Sequence, residues 1–180
     1  MPGKQKPLKK CPVCGSKDVS KIVRISGTAS IYDPSYLCQS CGKEIGSPPY
    51  LKTDHGVVDY RDITTRIRIR EEGLYPGYGE IRLRQMESGA ELELLGDQNH
   101  PDVYLKKAVP EKKWRNLLDR IYRETYVHEW QKNFMAPNEK QESWQLELMM
   151  TNRRRRRYYG GQLHPPYWKE FVQLFKQFFV

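Results

Sequence analysis

A chain of 180 residues can hold one ordinary domain plus a small metal-stapled module, and it contains no apolar run long enough to span a bilayer. Its 31 Lys and Arg against 22 Asp and Glu leave a formal charge of +9, which suits nucleic acid or another acidic partner. The start, Met1 to Lys10, has lysines with no hydrophobic stretch behind them, so it does not read as a secretory leader; the expected setting is cytoplasmic, where thiols stay reduced.

Residues 1–10, MPGKQKPLKK, have four lysines, two prolines and no apolar period, and read as a disordered basic arm. Two knuckles follow, Cys11-Pro-Val-Cys14-Gly15 and Cys38-Gln-Ser-Cys41-Gly42. Each brings two thiolates round to one point, and a glycine after the second cysteine permits the positive φ such a turn favours. The expected ligand set for one structural Zn2+ is Cys11, Cys14, Cys38 and Cys41, with disulfides or a redox dithiol as the alternative. Between the knuckles, Val19–Ile25 reads as a strand, Ser26-Gly27 as a turn, and Ser30–Tyr32 with Tyr36-Leu37 as a return strand. Gly46-Ser-Pro-Pro49 breaks regular structure, giving a zinc module over 11–46 and a second domain over 50–180. Residues 1–50 hold eight Lys and Arg against three acids, residues 51–180 twenty-three against nineteen. Four thiolates around one zinc would take about two charges from the first part.

In the second part, Thr65-Arg-Ile-Arg-Ile-Arg70 alternates with period two, and so do Ile81-Arg-Leu-Arg84 and Glu91-Leu-Glu-Leu94. A two-residue Ser88-Gly89 loop would pair Arg84 with Glu93 and Met86 with Glu91. Pro110 suits a first helical position, and Trp114, Leu117, Leu118 and Ile121 repeat at helical spacing to about Arg123. Trp144–Leu148 and Arg154–Tyr158 form a second hairpin turning near Thr151-Asn152. A last helix after Pro165-Pro166 sets Trp168, Phe171, Phe175 and Phe178 on one stripe to the carboxyl end. The layout is α+β, in the order βββαββα: an antiparallel sheet backed by two helices, with the four tryptophans as core anchors.

The open face of this sheet is the candidate binding surface. It gathers Arg66, Arg68, Arg70, Arg82 and Arg84, and beside them part of the run Arg153, Arg154, Arg155, Arg156 and Arg157; guanidinium forks of this kind grip phosphate or carboxylate. A cross-strand Arg and Glu ladder that only solvates the sheet is the competing reading. Five consecutive arginines cannot be buried by a strand and are expected at an edge or on a projecting hairpin. Glu72–Gly79 reads either as an aromatic-tipped recognition loop or as a tight turn. No catalytic residue is assigned. His55, His100, His128 and His164 belong to no metal or nucleophile signature, and Asp54, His55, Asp59 and Asp62 lack the spacing of a metal-dependent nuclease.

Cys11-Pro-Val-Cys-Gly-Ser-Lys-Asp-Val19 with Tyr36-Leu-Cys-Gln-Ser-Cys-Gly42 resembles the rubredoxin-like zinc ribbons common in bacterial and phage proteins, over about a fifth of the chain. That resemblance implies zinc but no activity. Trp130, Trp144-Gln-Leu146 and Gly160 to Trp168 resemble small bacterial domains with a tryptophan-rich hairpin, a glycine and proline segment and a terminal helix. The expectation is a non-enzymatic prokaryotic or phage protein contacting nucleic acid, or a nucleic-acid-processing complex, through its arginines. The alternatives are a protein-interaction module that inhibits or assists a larger complex and, behind it, a metal-dependent nuclease.

Overall fold

The computed structural model of the protein describes residues 7–22, 34–46, 50–53, 56–151 and 153–179. The fold is α+β, strand-rich with few helices. Three strands, β1 (Val19–Lys21), β2 (Pro34–Cys38) and β3 (Glu44–Gly46), form one antiparallel sheet. A hairpin of β4 (Tyr50–Thr53) and β5 (Gly56–Asp59) leads into a single helical turn, α1 (Tyr60–Ile63). A meander follows, β6 (Thr64–Tyr75), β7 (Tyr78–Met86), β8 (Gly89–Gly96) and β9 (Tyr104–Val109), and then α2 (Glu111–Arg123) and a 3-10 turn over Val127–Glu129. The chain ends with β10 (Asn133–Phe134), β11 (Trp144–Met150), β12 (Arg155–Gly160), α3 (Trp168–Gln173) and a second 3-10 turn over Lys176–Phe178. The large sheet has seven strands in the order β10-β12-β11-β6-β7-β8-β9, antiparallel except for the short β10 and β12 pairing. The expected order βββαββα therefore gains β4, β5, α1, β9 and β10, and the sheet is mixed rather than wholly antiparallel.

Two compact units divide the chain. One comprises Met1–Asp62, Asp119–Trp130 and Pro165–Val180, the other Ile63–Leu118 and Gln131–His164.

The second unit is built on the sheet. Period-two alternation sends Ile67, Ile69, Ile81, Leu83, Leu92, Leu94, Leu146 and Leu148 to one face, each at most 1 % exposed. The register aligns them in two straight rows, Leu148–Ile67–Leu83–Leu92 and Leu146–Ile69–Ile81–Leu94. Trp114, Leu117 and Leu118 from the first turns of α2 and Trp144 from β11 are buried in the same unit. At about 1.5–3 kcal/mol per buried large side chain, this aliphatic block is the unit's main source of stability.

Turns set that register. Pro76-Gly77 joins β6 to β7, with Tyr75 opposite Tyr78; Gly77 has φ +82°, and proline followed by a left-handed glycine suits a type II turn. Tyr75 is buried, so the 72–79 segment is a tight turn rather than a recognition loop. Between β7 and β8 the two-residue loop is Glu87-Ser88, not Ser88-Gly89: Arg84 pairs with Glu91 and Met86 with Gly89. This register differs from the expected one by two residues, which preserves the faces. Gly89, at φ +99°, fixes it, because a Cβ there would collide with the Val109 carbonyl oxygen and lie 2.8 Å from the Glu111 nitrogen.

In the first unit the carboxyl-terminal segment is not one continuous helix. After Gln173 the hydrogen bonds tighten to three-residue spacing, Phe175 N to Val172 O and Phe178 N to Phe175 O. The stripe survives, since Trp168, Phe171, Phe175 and Phe178 are all buried. Residues 7–10, expected to belong to the disordered arm, are anchored. Leu8 is buried, Tyr167 Oη donates to the Lys10 carbonyl at 2.8 Å, and Lys10 Nζ lies 3.1 Å from Glu170 and 4.6 Å above the Tyr167 ring. The expected arm over 1–6, the Ser26-Gly27 turn and the Ser30–Tyr32 strand lie outside the described residues.

Gly77→Ala is expected to cost about 1 kcal/mol through backbone strain alone, because nothing lies within 4 Å of its added Cβ. Gly89→Ala, strained and sterically blocked, should cost about 2 kcal/mol or more. Urea midpoints of the two variants measure the difference; equal midpoints would show that the approach of Val109 to Gly89 does not fix the register.

Candidate functional site: a four-cysteine cluster and an arginine-lined sheet face

The two knuckles converge. Gly15 N donates to Cys11 O and Gly42 N to Cys38 O, each at 2.9 Å, and the two glycines have φ of +77° and +69°. These paired turns bring all four sulfurs within 4.8 Å of one another, with Cys14 Sγ 3.6 Å from Cys38 Sγ and Cys11 Sγ 3.8 Å from Cys41 Sγ. A tetrahedron with metal–sulfur bonds of about 2.3 Å has sulfur–sulfur edges of about 3.8 Å, so the donor set fits one tetrahedral metal ion. No disulfide links the cysteines, and Cys11 and Cys38 are buried while Cys14 and Cys41 are exposed.

The two buried thiols titrate differently. Burial pushes the Cys11 thiol up to about 12. At Cys38 burial also acts upward, but the backbone N–H groups of Cys41 and Ser40 outweigh it and bring the thiol down to about 7. A bound cation would deprotonate the set and remove the cost of the buried thiolates.

The cluster is held by the rest of its unit. Gly15 approaches Pro166, with 3.6 Å between a notional Cβ and the proline ring. On the other knuckle Lys43 Nζ lies 3.3 Å from Glu129. Those segments carry an aromatic core: Trp130 meets the Phe171 ring edge-on at 5.3 Å and lies 6.2 Å from Trp168.

The second site lies on the face of the large sheet opposite the aliphatic rows. Register places Arg66 opposite Arg84 and Arg68 opposite Arg82 across β6 and β7, so two pairs of like charges confront each other at the sheet centre. Glu80 answers this repulsion. Only 8 % exposed, it accepts from Arg68 Nε at 2.6 Å and Nη2 at 3.2 Å, from Arg70 Nη2 at 3.3 Å and from Arg82 Nε at 2.5 Å. Burial acts to raise its carboxyl, but the Arg68 and Arg82 guanidiniums prevail and hold it down at about 2. Arg68 in turn is raised by its bond to Glu80.

Carboxylates border the arginines on both sides. On β8, Glu91 pairs with Arg84 at 3.0 Å and Glu93 lies 3.8 Å from Arg82; Lys106 on β9 reaches both, at 3.1 and 3.6 Å. On β11, Glu147 is 3.9 Å from Arg68 and 3.5 Å from Arg155. Arg66 differs from these: among the described residues no carboxylate lies within 4.0 Å of it. It lines an open depression of about 460 Å³ together with Arg68, Arg82, Arg84, Met149 and Arg155 and the carboxylates Glu91, Glu93 and Glu147.

The structure divides the arginine run. Arg155 and Arg157 share the arginine face, with Arg157 paired to Glu142 and lying 4.7 Å above the Tyr159 ring. Arg156 is opposite Leu148, on the side of the aliphatic rows, and is half-buried. Arg153 is in the turn at φ +61°, and Arg154 is exposed beside it. Because β10 pairs only with Tyr159 and Gly160, Arg155–Arg157 run along an outer edge of the described sheet, as a strand of adjacent cations requires.

The acids considered for a nuclease do not assemble among the described residues. Asp59 binds the Arg61 guanidinium and backbone nitrogen, Asp62 is exposed, and Asp54 and His55 lie outside the described residues. His164 is held by Glu71 at 2.7 Å and stacks on Trp144, His100 closes a turn on Asp97, and His128 packs against both Tyr60 and Tyr122. Sequence reasoning missed Glu80 and Lys106 on the arginine face. Glu80 continues the period of Ile81-Arg-Leu-Arg84, whereas the Tyr104–Val109 strand alternates too poorly to betray Lys106.

The protein-family models, the curated proteins and the solved structures contain no match to this chain.

Two outcomes are expected. Chelation of bound metal, or Cys38→Ser, should displace the signals of Trp130 and Trp168 while leaving Trp114 and Trp144 in place, which fluorine NMR of fluorotryptophan-labelled protein resolves; four unmoved resonances would show that the cluster stabilises nothing beyond itself. The folded Glu80 carboxyl lies below the ordinary value of about 4.3, so its contribution to stability is present above that pH and lost as pH falls towards about 2. Glu80→Gln should therefore flatten the acid-side decline of the urea midpoint, and an unchanged decline would exclude Glu80 as its source.

Proposed function

We propose that the protein is a non-enzymatic, zinc-stabilised binding module that contacts nucleic acid through the arginine-lined face of its sheet. The observation that carries this reading is the charge pattern at the sheet centre: Arg66 faces Arg84 and Arg68 faces Arg82, and among the described residues no carboxylate lies within 4.0 Å of Arg66. Like charges set directly opposite each other destabilise a sheet, and an incoming phosphate relieves them. The depression around Arg66 is open to such a ligand, and the overall charge of +9 attracts polyanions. Zinc is the ion favoured for the cluster, because four thiolates at tetrahedral spacing suit zinc or iron, and the structural reading needs no redox partner. It implies a reducing compartment, where thiols stay available to metal.

The test is a titration of labelled nucleic acid, single-stranded and duplex together, against the parent protein and the double variant Arg66→Glu, Arg84→Glu. Both side chains are exposed, so the variant should keep its thermal midpoint within a few degrees while losing at least tenfold in affinity. Binding unaffected by the double reversal would refute the assignment of the face. If the protein binds acidic polypeptides and no nucleic acid, the face belongs to a protein-interaction module instead. Elemental analysis finding one iron rather than one zinc per chain, with visible absorption, would overturn the choice of metal.

A further inference from the structure

The arginine face has a direction and a width, and together they specify a ligand narrower than a duplex. On β6 and β7 the guanidiniums form a stripe two strands wide, in which Arg66 with Arg84 makes one tier and Arg68 with Arg82 the next. Successive tiers are two residues apart along the strands, roughly 6.8 Å, close to the spacing of successive phosphates in an extended nucleic-acid strand. Five guanidiniums, including Arg70, share this stripe with one carboxylate, Glu80, which sits opposite Arg70, closes that end to an anion and also accepts from Arg68 and Arg82.

The borders are acidic. Glu91 and Glu93 stand one strand out on β8, and Glu147 one strand out on β11. Three strand spacings separate the two borders, about 14 Å. A duplex is wider than that, so one laid on the stripe would also lie over Glu91, Glu93 and Glu147 and meet their charge. A single strand fits between them. At the tier of Arg66 the β11 neighbour is Met149, not an acid, and Arg155 stands beyond it, so the positive surface continues outward at that end. No aromatic ring lines the depression, which leaves nothing there for a base to stack on.

We infer that the stripe is a seat for single-stranded nucleic acid, holding one phosphate at the Arg66–Arg84 tier and the next at the Arg68–Arg82 tier, where it shares the guanidiniums with Glu80, with little preference for base. This rests on the reading of the face as a nucleic-acid surface. The charge balance has a further consequence. Removing the Glu80 carboxylate frees guanidiniums that it now occupies, so Glu80→Gln should tighten binding even as it destabilises the fold.

The experiment measures fluorescence anisotropy of the full chain with three probes: a mixed-sequence single-stranded DNA of about 12 nucleotides, the same sequence as a duplex, and poly-glutamate, across a range of salt. The single strand is expected to bind at least tenfold tighter than the duplex. For two phosphates, the logarithm of its affinity should fall against that of salt with a slope near −1.4, and changing the sequence to oligo-dT or oligo-dA should shift affinity less than threefold. Arg66→Ala should reduce the slope by about 0.7, and Glu80→Gln should raise affinity at a salt concentration where both proteins are folded. Equal or tighter binding of the duplex, or an unchanged slope in Arg66→Ala, overturns this inference while leaving a nucleic-acid surface in place. Binding of poly-glutamate with no binding of either DNA overturns the surface reading itself, and the inference with it.

Discussion

Two rows of four aliphatic side chains cross the centre of the seven-stranded sheet, and the second unit depends on keeping those rows in register. A slip of one residue in any central strand would exchange its isoleucines or leucines for arginines or glutamates and put a charge on the buried side. The turn at Pro76-Gly77 and the close approach of Gly89 to Val109 exclude such slips. With the apolar set fixed on one side, the alternation leaves the arginines of β6 and β7 nowhere but the other, and there they face one another. Glu80 is the element that makes this tolerable: one nearly buried carboxylate accepts hydrogen bonds from three of the guanidiniums. The charged face is thus a consequence of the core pattern, and its electrostatics turn on a single side chain.

The first unit meets a different difficulty. Strands of three to five residues cannot bury enough surface to fold by themselves, and the chain compensates in two ways. Four thiols arranged at tetrahedral spacing allow a metal to replace a core. Segments distant in sequence supply the aromatic packing, with Tyr60 stacked on Tyr122, Trp130 against Phe171, and Tyr167 bonded to the backbone of Lys10. The knuckles touch these segments through Gly15 with Pro166 and Lys43 with Glu129, so the integrity of the cluster and of the aromatic packing are coupled within the unit.

Much of this was legible because it is periodic. The cysteine spacing announced a four-sulfur cluster, Thr65–Arg70 and Ile81–Arg84 announced their faces, and α2 was readable from Pro110 and the spacing of Trp114, Leu117, Leu118 and Ile121. What escaped lacks a period. In β9, Tyr104-Leu-Lys-Lys-Ala-Val109 has neighbours of the same kind side by side, and β10 is two residues long and exists only by pairing with β12. The register of β7 on β8 is not legible locally, because turn chemistry favours glycine in the loop, whereas the close approach of Val109, twenty residues away, requires Gly89 in the strand. The break in the terminal helix leaves no mark in the sequence, because an aromatic stripe at spacings of three and four satisfies an α-helix and a tightening 3-10 turn alike.

The abundance of ion pairs on the arginine face is not in itself an argument for a solvated ladder. Exposed pairs contribute about 0–1 kcal/mol each, and the side chains of Arg70, Arg82, Arg84 and Arg155 are 39–57 % exposed, so a resident carboxylate there is easily exchanged for another anion. A sheet selected only for stability gains by alternating charge between neighbouring strands, as β8 does with β7 and β9. Between β6 and β7 the alternation fails, in two successive tiers, at the place where the face is recessed. Such a juxtaposition costs the fold, whereas a phosphate ligand can bind Arg66 directly and share Arg68, Arg82 and Arg84 with their resident carboxylates without rearrangement of the backbone. The mismatch between what the sheet would choose and what the sequence supplies is therefore the strongest physical ground for a polyanion at this position.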